Sequence, residues 1–465
     1  MKHHFYKRVF GFWIVFVGSL LLSTSVAQTI VAQTSVTDTS IRRAINFGNA
    51  LEAANEGDWG MIIEKEYFGL VKDVGFDTVR LPIKWSAHAA EEAPYTIEPA
   101  FFARIDEVIS WAYEEDLNII LDLHHYEGME QAPEAHLERW LALWEQIAIY
   151  YQNEPESLYF EILNEPNREL GADLWNSFIP QALKRIRPSN PTRKIIVGPV
   201  FWNSIDTLNQ LSLPDDSNLI TTVHFYEPFA FTHQGAEWIS PPPPVGTTWH
   251  ENQVTWAAWD NWSWDTGLDF TEEGLEVTYQ GGWAGLYLHR ETPAIGYNQL
   301  HMRVQGARQL RVSCNKNEVS QVDLDTIEGW QDYEISLNGC DEGITDIFIM
   351  NDTPSPQASF FIADLSLEGP EGSMPLISNQ ADAIRQSFDE VAAWANANNQ
   401  PIFLGEFGAY SPADMASRVR WTRFVREEAE ARGFAWGYWE FGAGFGIYDR
   451  DSSSWREELL RALID

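Results

Sequence analysis

Short apolar runs alternate with longer stretches in which apolar residues recur every three or four positions along most of this 465-residue chain. The short runs predict buried strands, and the longer stretches predict amphipathic helices. Helices are expected at Glu64–Val74, Ala100–Glu115, Leu137–Tyr151, Ser378–Asn396, Met415–Arg432 and Ser454–Ile464. Strands are expected at Ala44–Phe47, Thr78–Leu81, Asn118–Leu123, Leu158–Leu163, Lys194–Gly198, Ile220–Phe225, Ile402–Glu406 and Ala435–Glu440. Such strand-then-helix units predict an α/β fold, a closed (β/α)₈ TIM barrel.

One connection, between the sixth and seventh strands, is far longer than a loop and a helix require. There the pattern changes to short runs of alternating apolar and polar residues with turn residues between them. This pattern is typical of an antiparallel β-sandwich. We therefore expect a jelly-roll-like sandwich at 252–372, inserted between two parts of the barrel at 41–251 and 373–465. Cys314 and Cys340 both lie in the insert, and their spacing is compatible with a disulfide or with two buried thiols.

The first 40 residues are expected to lie outside the fold. Basic residues near the start precede an apolar run and then small residues ending at Ala27. This order predicts a signal peptide at 1–27, and the run is short for a membrane span. A Ser/Thr/Gln-rich tail follows at 28–40. We expect a secreted protein, extracellular or periplasmic, with no membrane association after cleavage.

Charge and composition restrict the possible partners. The formal net charge is −37, which disfavours nucleic acids and anionic lipids and is compatible with a neutral polymer. The same charge would also keep a secreted protein soluble. Aromatic residues make up 14% of the chain and include 21 tryptophans, which serve either as core or as platforms for sugar rings.

Glutamates stand at the carboxyl ends of two predicted strands, Glu165 on the fourth and Glu406 on the seventh. An acid and a base that face each other are the smallest set of catalytic groups that can cleave a glycosidic bond. A single strand-end glutamate is better explained as a cap or a surface ion pair. Other predicted strands, however, also end in polar or aromatic residues, and a barrel gathers such ends on one face. These residues are Arg80, His124, His224, Tyr226 and Trp439, and Asn164 stands beside Glu165 on the fourth strand.

Several of these strand ends lie within longer motifs, and through them the chain resembles glycoside hydrolase family 5, whose members are retaining enzymes of clan A. The resemblance covers the barrel and not the insert. The motifs are Asn46-Phe47-Gly48-Asn49-Ala50-Leu51-Glu52, Val79-Arg80-Leu81-Pro82, Leu123-His124-His125-Tyr126, Leu163-Asn164-Glu165-Pro166, His224-Phe225-Tyr226, Gly405-Glu406-Phe407-Gly408 and Gly437-Tyr438-Trp439-Glu440.

The resemblance implies a role for each of these residues. Glu165 would be the general acid/base, Glu406 the nucleophile, and Asn164 the partner of the sugar 2-hydroxyl. Arg80 and Tyr226 would hold Glu406, His124 and His224 would complete the network, and Trp439 would be the floor beneath the sugar. The binding subsites would be lined by Asn49, Glu52, His125, Trp202, His233 and Trp238. No cofactor or metal is expected, since the carboxyl groups carry the chemistry.

The predicted function is a secreted, retaining endo-β-1,4-glucanase that hydrolyses cellulose-type glucans by double displacement. The alternatives are a β-mannanase, a mixed-linkage glucanase or a xyloglucanase on the same site, and a catalytically inactive barrel that only binds glycans. The expected partner is a polysaccharide, a β-glucan or a mannan, with no nucleic acid, and the protein is expected to be a monomer. The insert resembles a carbohydrate-binding module, and a spacer that only shapes the cleft is the competing interpretation.

Overall fold

The computed structural model describes residues 40–465 apart from 252–253, 257–258, 272–273, 307–308, 316, 324–328, 338, 341–342 and 371. The predicted signal peptide at 1–27 and nearly all of the predicted tail at 28–40 lie outside the described residues. Of the helices within the described ranges, none has the length and hydropathy needed to cross a membrane.

The first part of the barrel contains six strands and seven helices in the described residues. Two 3₁₀ helices lie at Trp85–His88 and Ile205–Gln210. The strands are β1 (Arg43–Asn46), β2 (Thr78–Ile83), β3 (Asn118–Leu123), β4 (Leu158–Glu161), β5 (Ile195–Val197) and β6 (Leu219–His224). The helices are α1 (Glu66–Asp73), α2 (Pro99–Glu114), α3 (Glu127–Gln131), α4 (Pro133–Tyr150), α5 (Ala172–Ile186), α6 (Val200–Asn203) and α7 (Phe229–Thr232).

The insert follows α7 and consists of short strands. They are β7 (Val254–Trp256), β8 (Asp260–Asn261), β9 (Thr266–Thr271), β10 (Gly274–Tyr279), β11 (Gly285–Ala294), β12 (Gln299–Gln305), β13 (Gln309–Cys314), β14 (Asn317–Asp323), β15 (Gln331–Ser336), β16 (Ile344–Asn351), β17 (Phe360–Gly369), β18 (Gly372–Pro375) and β19 (Ile377–Asn379). One sheet has the order β15-β12-β17-β10-β9 with β18 beside β17, and the other has the order β14-β13-β16-β11-β8. A two-stranded ribbon of β7 and β19 stands where the insert leaves and rejoins the barrel.

The chain then completes the barrel. The remaining elements are α8 (Gln380–Asn398), β20 (Ile402–Phe407), α9 (Met415–Ala431), β21 (Ala435–Tyr438), β22 (Tyr448–Asp449), β23 (Ser454–Trp455) and α10 (Glu457–Ile464). The parallel strands close in the order β1-β2-β3-β4-β5-β6-β20-β21. The predicted TIM barrel with an inserted sandwich after the sixth strand is therefore confirmed.

Burial explains why the barrel strands are nearly continuous apolar runs. Every residue of β2 and of β20 is buried, as expected for parallel strands covered on both faces. Helix α4 buries Trp140 and Trp144 against the fourth strand, and both indole N–H groups donate to the carbonyl of Ile162, at 3.0 and 2.8 Å. These bonds hold the chain where it turns from β4 toward Glu165.

The sandwich is built on a period of two residues. Leu286 and Leu288 of β11 pack inward with Ile347 and Ile349 of β16, so the residues between them face outward. The core also includes Ile377, so the sandwich continues a few residues beyond the predicted boundary at 372. The physical reason is that β18, which begins at Gly372, pairs with β17 instead of leaving the domain.

Cys314 and Cys340 form a disulfide, with their Cα atoms 6.4 Å apart. The bond joins the end of β13 to the segment after β15, and the two cysteines are separated by 26 positions in the sequence. Closing a loop of that length stabilises a fold by about 3.5 kcal/mol through the lost entropy of the unfolded chain. The disulfide therefore reinforces a domain whose own core is small.

Candidate active site

The carboxyl ends of the barrel strands bring two glutamates together. Glu165 follows β4 and Glu406 lies in β20, 241 positions apart in the sequence. One carboxylate oxygen of each, together with a ring nitrogen of His224, lies within 4.8 Å of the other two atoms. Because the strands are parallel, these ends share one face of the barrel. The two carboxyl groups are therefore placed to act on the same bond.

The side chain of Glu406 is aimed by an irregularity in β20. The register of this strand shifts around Gly405 against both of its neighbours, as it does at a bulge, which re-aims a side chain. A Cβ at Gly405 would lie 2.5 Å from Oγ1 of Thr222 and 3.1 Å from Nε2 of His224. Only glycine fits this position without displacing its neighbours.

Arg80 is the centre of the buried charge network. It is fully buried and donates from Nη1 to Glu406 Oε1 at 2.7 Å and from Nη2 to Asn164 Oδ1 at 2.8 Å. Its Nε and Nη2 bind both oxygens of Glu161, at 2.7 and 2.9 Å. Nη2 also lies 3.0 Å from Asp122 Oδ2. One planar cation thus orients the Glu406 carboxylate and the Asn164 amide together.

Glu406 is the better held of the two catalytic candidates. Tyr226 donates from its hydroxyl to the second oxygen, Oε2, at 2.9 Å. Burial raises the pKa of the Glu406 carboxyl, and His224, Arg80 and the Tyr226 hydroxyl counter that rise. Since an arginine stays protonated at any relevant pH, its contact favours the anionic form of Glu406.

Glu165 is in a different environment. Its backbone has a φ of 46°, an uncommon conformation for a residue with a side chain. Its carboxylate accepts from His224 Nδ1 at 2.7 Å, while Arg80 pairs with Glu406 instead. Burial raises the pKa of Glu165 to about 8. The pair therefore divides into a carboxyl group that keeps its proton near neutral pH and one beside a permanent cation.

His224 links the two glutamates through a fixed tautomer. Its Nε2 faces the amide nitrogen of Asn203 at 3.2 Å, so Nε2 accepts and the ring proton lies on Nδ1, toward Glu165. Burial lowers the pKa of His224 to about 4, which keeps the ring neutral at higher pH. Asn203 is fully buried in the α6 turn, where Phe201, Trp202 and Asn203 all have positive φ.

Trp439 forms a floor next to these groups. Its ring is stacked on His124 with the centroids 5.5 Å apart and the planes 7° from parallel. His124 is held by Asp122, with Nδ1 and Oδ2 2.5 Å apart, and its Nε2 lies 3.5 Å from the amide nitrogen of Asn164. Trp439 is partly exposed. An indole fixed on one face leaves the other face for an apolar ring surface.

Five of the six predicted subsite residues lie around this centre with exposed or partly exposed side chains, and Glu52 does not. The five are Asn49, His125, Trp202, His233 and Trp238. Glu52 is buried and accepts from the backbone N–H groups of Asn49 and Ala50. Burial raises its pKa to about 8. Through these bonds Glu52 stabilises the loop that carries Asn49. The Glu52 carboxylate is not exposed to the cleft.

Some residues of the site were missed by sequence reasoning. Trp59 is half exposed in the loop after β1, with its ring 5.9 Å from that of His125. The sequence signal that could have indicated this residue is a tryptophan next to glycines, Gly57 and Gly60, in a predicted loop. Asn203 offered none, because nothing in its local pattern shows that it contacts His224.

Glu165, His224 and Glu406 are close enough to ligate a metal ion. Arg80, however, already occupies Oε1 of Glu406, and its positive charge opposes a second cation at that position. A neutral acid facing a cation-paired carboxylate is instead suited to acid–base and nucleophilic chemistry.

A family model described as Cellulase (glycosyl hydrolase family 5) matches residues 42–275 and 360–444 of the chain. The match includes all eight barrel strands and both glutamates, and it extends into the first and last strands of the sandwich. The unmatched interval between the two ranges lies inside the sandwich.

Curated proteins with related sequences include Endoglucanase H of Acetivibrio thermocellus, 26% identical over 427 residues, which are 90% of this chain and 32% of that protein. Cellodextrinase A of Ruminococcus flavefaciens is 31% identical over 221 residues, 45% of this chain and 65% of that protein. The chain thus spans less than two thirds of the length of these relatives.

Solved structures with the same fold include an endoglucanase that is 35% identical, with a TM-score of 0.63, covering 91% of this chain and 97% of that one. Thermotoga maritima Cel5A in complex with cellobiose is 33% identical, with a TM-score of 0.63 and the same coverage of both chains. That protein has also been solved with mannotriose.

Proposed function

Because the chain belongs to glycosyl hydrolase family 5, we propose that it is an endo-β-1,4-glucanase that cleaves cellulose-type glucans with retention of anomeric configuration. One observation carries the proposal. Glu165 and Glu406 face each other within 4.8 Å between their nearest ligand oxygens, near the spacing of about 5–5.5 Å between carboxyl groups that suits double displacement. An inverting enzyme needs a wider gap, because a water molecule must fit between its carboxylate and the sugar.

The unequal surroundings of the two glutamates support one assignment of their roles. Glu406, paired with Arg80 and Tyr226, is the nucleophile, because it must be anionic to attack. Glu165 is the general acid, because burial keeps its proton in place near neutral pH. His224 donates to one oxygen of Glu165, which leaves the other oxygen to face the glycosidic oxygen.

In the first step, Glu406 attacks the anomeric carbon while Glu165 protonates the departing oxygen. The glycosidic bond breaks and an ester to Glu406 forms. In the second step, Glu165, now a carboxylate, takes a proton from water, and the hydroxide so formed displaces Glu406. Asn164, oriented by Arg80, is placed to hold the sugar 2-hydroxyl, and Trp439 supports the ring.

The activity is tested by hydrolysis of carboxymethyl cellulose, barley β-glucan, xyloglucan and mannan, with the first-formed anomer followed by NMR. We expect the fastest release of reducing ends from carboxymethyl cellulose, and β-configured product before mutarotation. Faster cleavage of mannan would favour the mannanase alternative, which has support from the mannotriose complex of the Thermotoga maritima neighbour. An α-configured first product would overturn the double-displacement mechanism. If none of the polymers were cleaved, the result would favour the alternative of a catalytically inactive barrel that only binds glycans.

The pH profile should follow the two carboxyl groups. Protonated Glu165 is the active form, so kcat/KM should fall as pH rises through its pKa of about 8. On the acid side, kcat/KM should fall when Glu406 becomes protonated and can no longer attack. An aryl cellobioside with an acidic leaving group needs no general acid, so its alkaline limb should be absent. A limb that is equally steep for cellotetraose and for the aryl substrate would contradict the assignment of Glu165.

We also infer that the enzyme is exported and acts as a monomer on an extracellular polymer. Support for export comes from the apolar run that precedes Ala27. Mass spectrometry of the protein from culture medium should find a chain that starts near Gln28. An intact Met1 in a membrane fraction would instead show that the segment is retained as an anchor.

A further inference from the structure

The sandwich sheet that contains β11 and β16 carries exposed aromatic side chains on its outer face and at its edge. Alternate residues of these strands fill the core, so the intervening ones face outward. Outward-facing Tyr287 and Phe348 are direct cross-strand partners. We name this cluster the aromatic strip: Trp262, Trp264, Trp283, Tyr287 and Phe348.

The rings of the aromatic strip form a continuous surface. Tyr287 and Phe348 are stacked with centroids 4.3 Å apart, and Trp264 lies 6.4 Å from each of them. Trp262 meets Tyr287 edge-on at 5.5 Å, and Trp264 donates from Nε1 to the carbonyl of Trp283 at 3.0 Å. The strand beneath these rings, from position 285 to 289, spans about 13 Å. This length accommodates more than one sugar ring.

The indoles of the strip are exposed to a degree that packing does not explain. The exposed fractions are 53% for Trp262, 37% for Trp264 and 55% for Trp283. Trp283 also has a φ of 65°, a conformation that favours glycine and is costly for a bulky residue. Strain at a side chain that buries little of its own surface indicates a functional constraint.

Trp264 is built like the floor of the catalytic cleft. A Cβ placed on Gly48 would meet the Cη2, Cζ2 and Cζ3 atoms of Trp439 at 2.8–3.3 Å. A Cβ placed on Gly285 would meet the same three atoms of Trp264 at 2.4–2.8 Å. In both places a glycine leaves room for the six-membered ring of an indole to lie close against the backbone.

Trp262 repeats a second feature of the cleft. Its ring is stacked on His289 with centroids 3.9 Å apart and planes 18° from parallel, as the ring of Trp439 is stacked on that of His124. His289 contacts Asp346, whose Oδ1 lies 2.9 Å from its Nδ1. An apolar ring face next to imidazole and carboxylate groups matches a pyranose, which has an apolar face and equatorial hydroxyls.

We propose that the aromatic strip binds a neutral β-linked glucan chain at a site separate from the catalytic cleft. The net charge of −37 disfavours a polyanion as the occupant. The insert leaves the barrel after β6 and returns at α8, and in this fold both connections lie on the face that carries the active site. A polymer held on the strip is therefore tethered to the same face as the cleft. The choice of a glucan rests on the proposed function.

The test compares two variants of the full chain in a Glu406→Ala background, so that the polymer is not cut during the measurement. The first is Trp264→Ala/Trp283→Ala. The second, the matched control, is Trp330→Ala, which replaces the tryptophan that directly precedes β15 of the other sheet and lies beneath the Arg303 guanidinium. Affinity for barley β-glucan and hydroxyethyl cellulose is measured by affinity electrophoresis, and that for amorphous cellulose by sedimentation. Folding of each variant is checked by circular dichroism.

The double variant should bind each polymer about tenfold more weakly, and the control should stay within about twofold of its parent. In the otherwise wild-type chain, the double variant should hydrolyse cellotetraose as fast as the parent, which separates this site from the cleft. Equal affinity of the double variant and the control would overturn the proposal. So would a wild-type dimer that the double variant abolishes without losing polymer affinity, since a second copy would then cover the strip. Failure of the wild type to cut cellotetraose would count against the proposed function and not against the strip.

Discussion

Replacing Glu406 by alanine is expected to lower kcat on cellulose-type glucans by on the order of 10⁵-fold. The variant loses the carboxylate that Arg80 and Tyr226 orient, and no other described carboxylate in the site can take its place, because Glu165 approaches as the acid partner. Affinity for the polymer should change little, since Trp439 and the exposed aromatic residues are untouched. Initial rates and equilibrium binding, measured on the same preparation, check both parts of the prediction.

Azide should restore turnover of an activated aryl cellobioside by the Glu406→Ala variant. The anomeric configuration of the glycosyl azide that forms reports which glutamate was removed. Azide in the space left by Glu406 attacks from that side and gives the α-glycosyl azide. In Glu165→Ala the ester to Glu406 still forms from the aryl substrate, so azide attacks from the opposite side and gives the β-glycosyl azide. In each case azide replaces the phenolate, which leaves with the bonding electrons.

Tyr226→Phe is a graded comparison, because it removes one hydrogen bond to Glu406 and keeps the charge. We expect a loss of about 10- to 100-fold in kcat, consistent with about 1.5–3 kcal/mol for a hydrogen bond to a charged group.

Two results with the Glu406→Ala variant would reverse the assignment of nucleophile and acid. One is a β-glycosyl azide as the product of the azide reaction, and the other is turnover that is retained without azide.

The barrel and its two glutamates were predictable because each rests on a local signal. A buried parallel strand reads as an apolar run, and a carboxylate at its end interrupts that run, as at Glu165 and Glu406. Parallel closure then brings distant strand ends to one face regardless of the length of the chain between them. For this reason a whole domain after β6 did not obscure the prediction of the pair.

The remaining features of the site depend on contacts between segments that carry no local signal. Asn203 reaches His224 only because three consecutive residues adopt positive φ. Glu52 lies in a matching motif, yet its carboxylate turns back onto the N–H groups of its own loop. The sandwich extends past residue 372 because β18, which begins there, pairs with β17. In each case tertiary contacts override the interpretation favoured by the local pattern.

Replacing Arg80 by methionine is expected to affect both stability and activity. Arg80 is the cation among three buried carboxylates, Asp122, Glu161 and Glu406. Removing one partner of a buried ion pair costs about 3–5 kcal/mol, since the other charge is left uncompensated. Activity should fall by at least about 10²-fold, because Glu406 and Asn164 both lose the group that orients them. Denaturant unfolding and initial rates measure the two effects.

The pH dependence of the lost stability identifies its cause. In the wild type, Arg80 counters the rise that burial causes in the pKa values of Asp122, Glu161 and Glu406, and the pKa of Asp122 is still raised to about 7. Without Arg80 these pKa values rise further, so above the wild-type values the folded variant holds more protons than the folded wild type. The stability of the variant then falls more steeply with pH, by about 1.4 kcal/mol per pH unit for each extra proton. The stability difference between wild type and Arg80→Met should therefore widen as pH rises from about 5 to above about 7.

Arg193→Met is the matched control for this effect. Arg193 is also buried, but its hydrogen bonds go to the Asn190 amide and to backbone carbonyls, among them those of Leu158 and Glu154. Its replacement should destabilise the fold by a similar amount at each pH and leave the activity of the folded fraction unchanged. If Arg80→Met lost the same stability at both ends of the pH range, loss of packing would be the cause and the charge network would not.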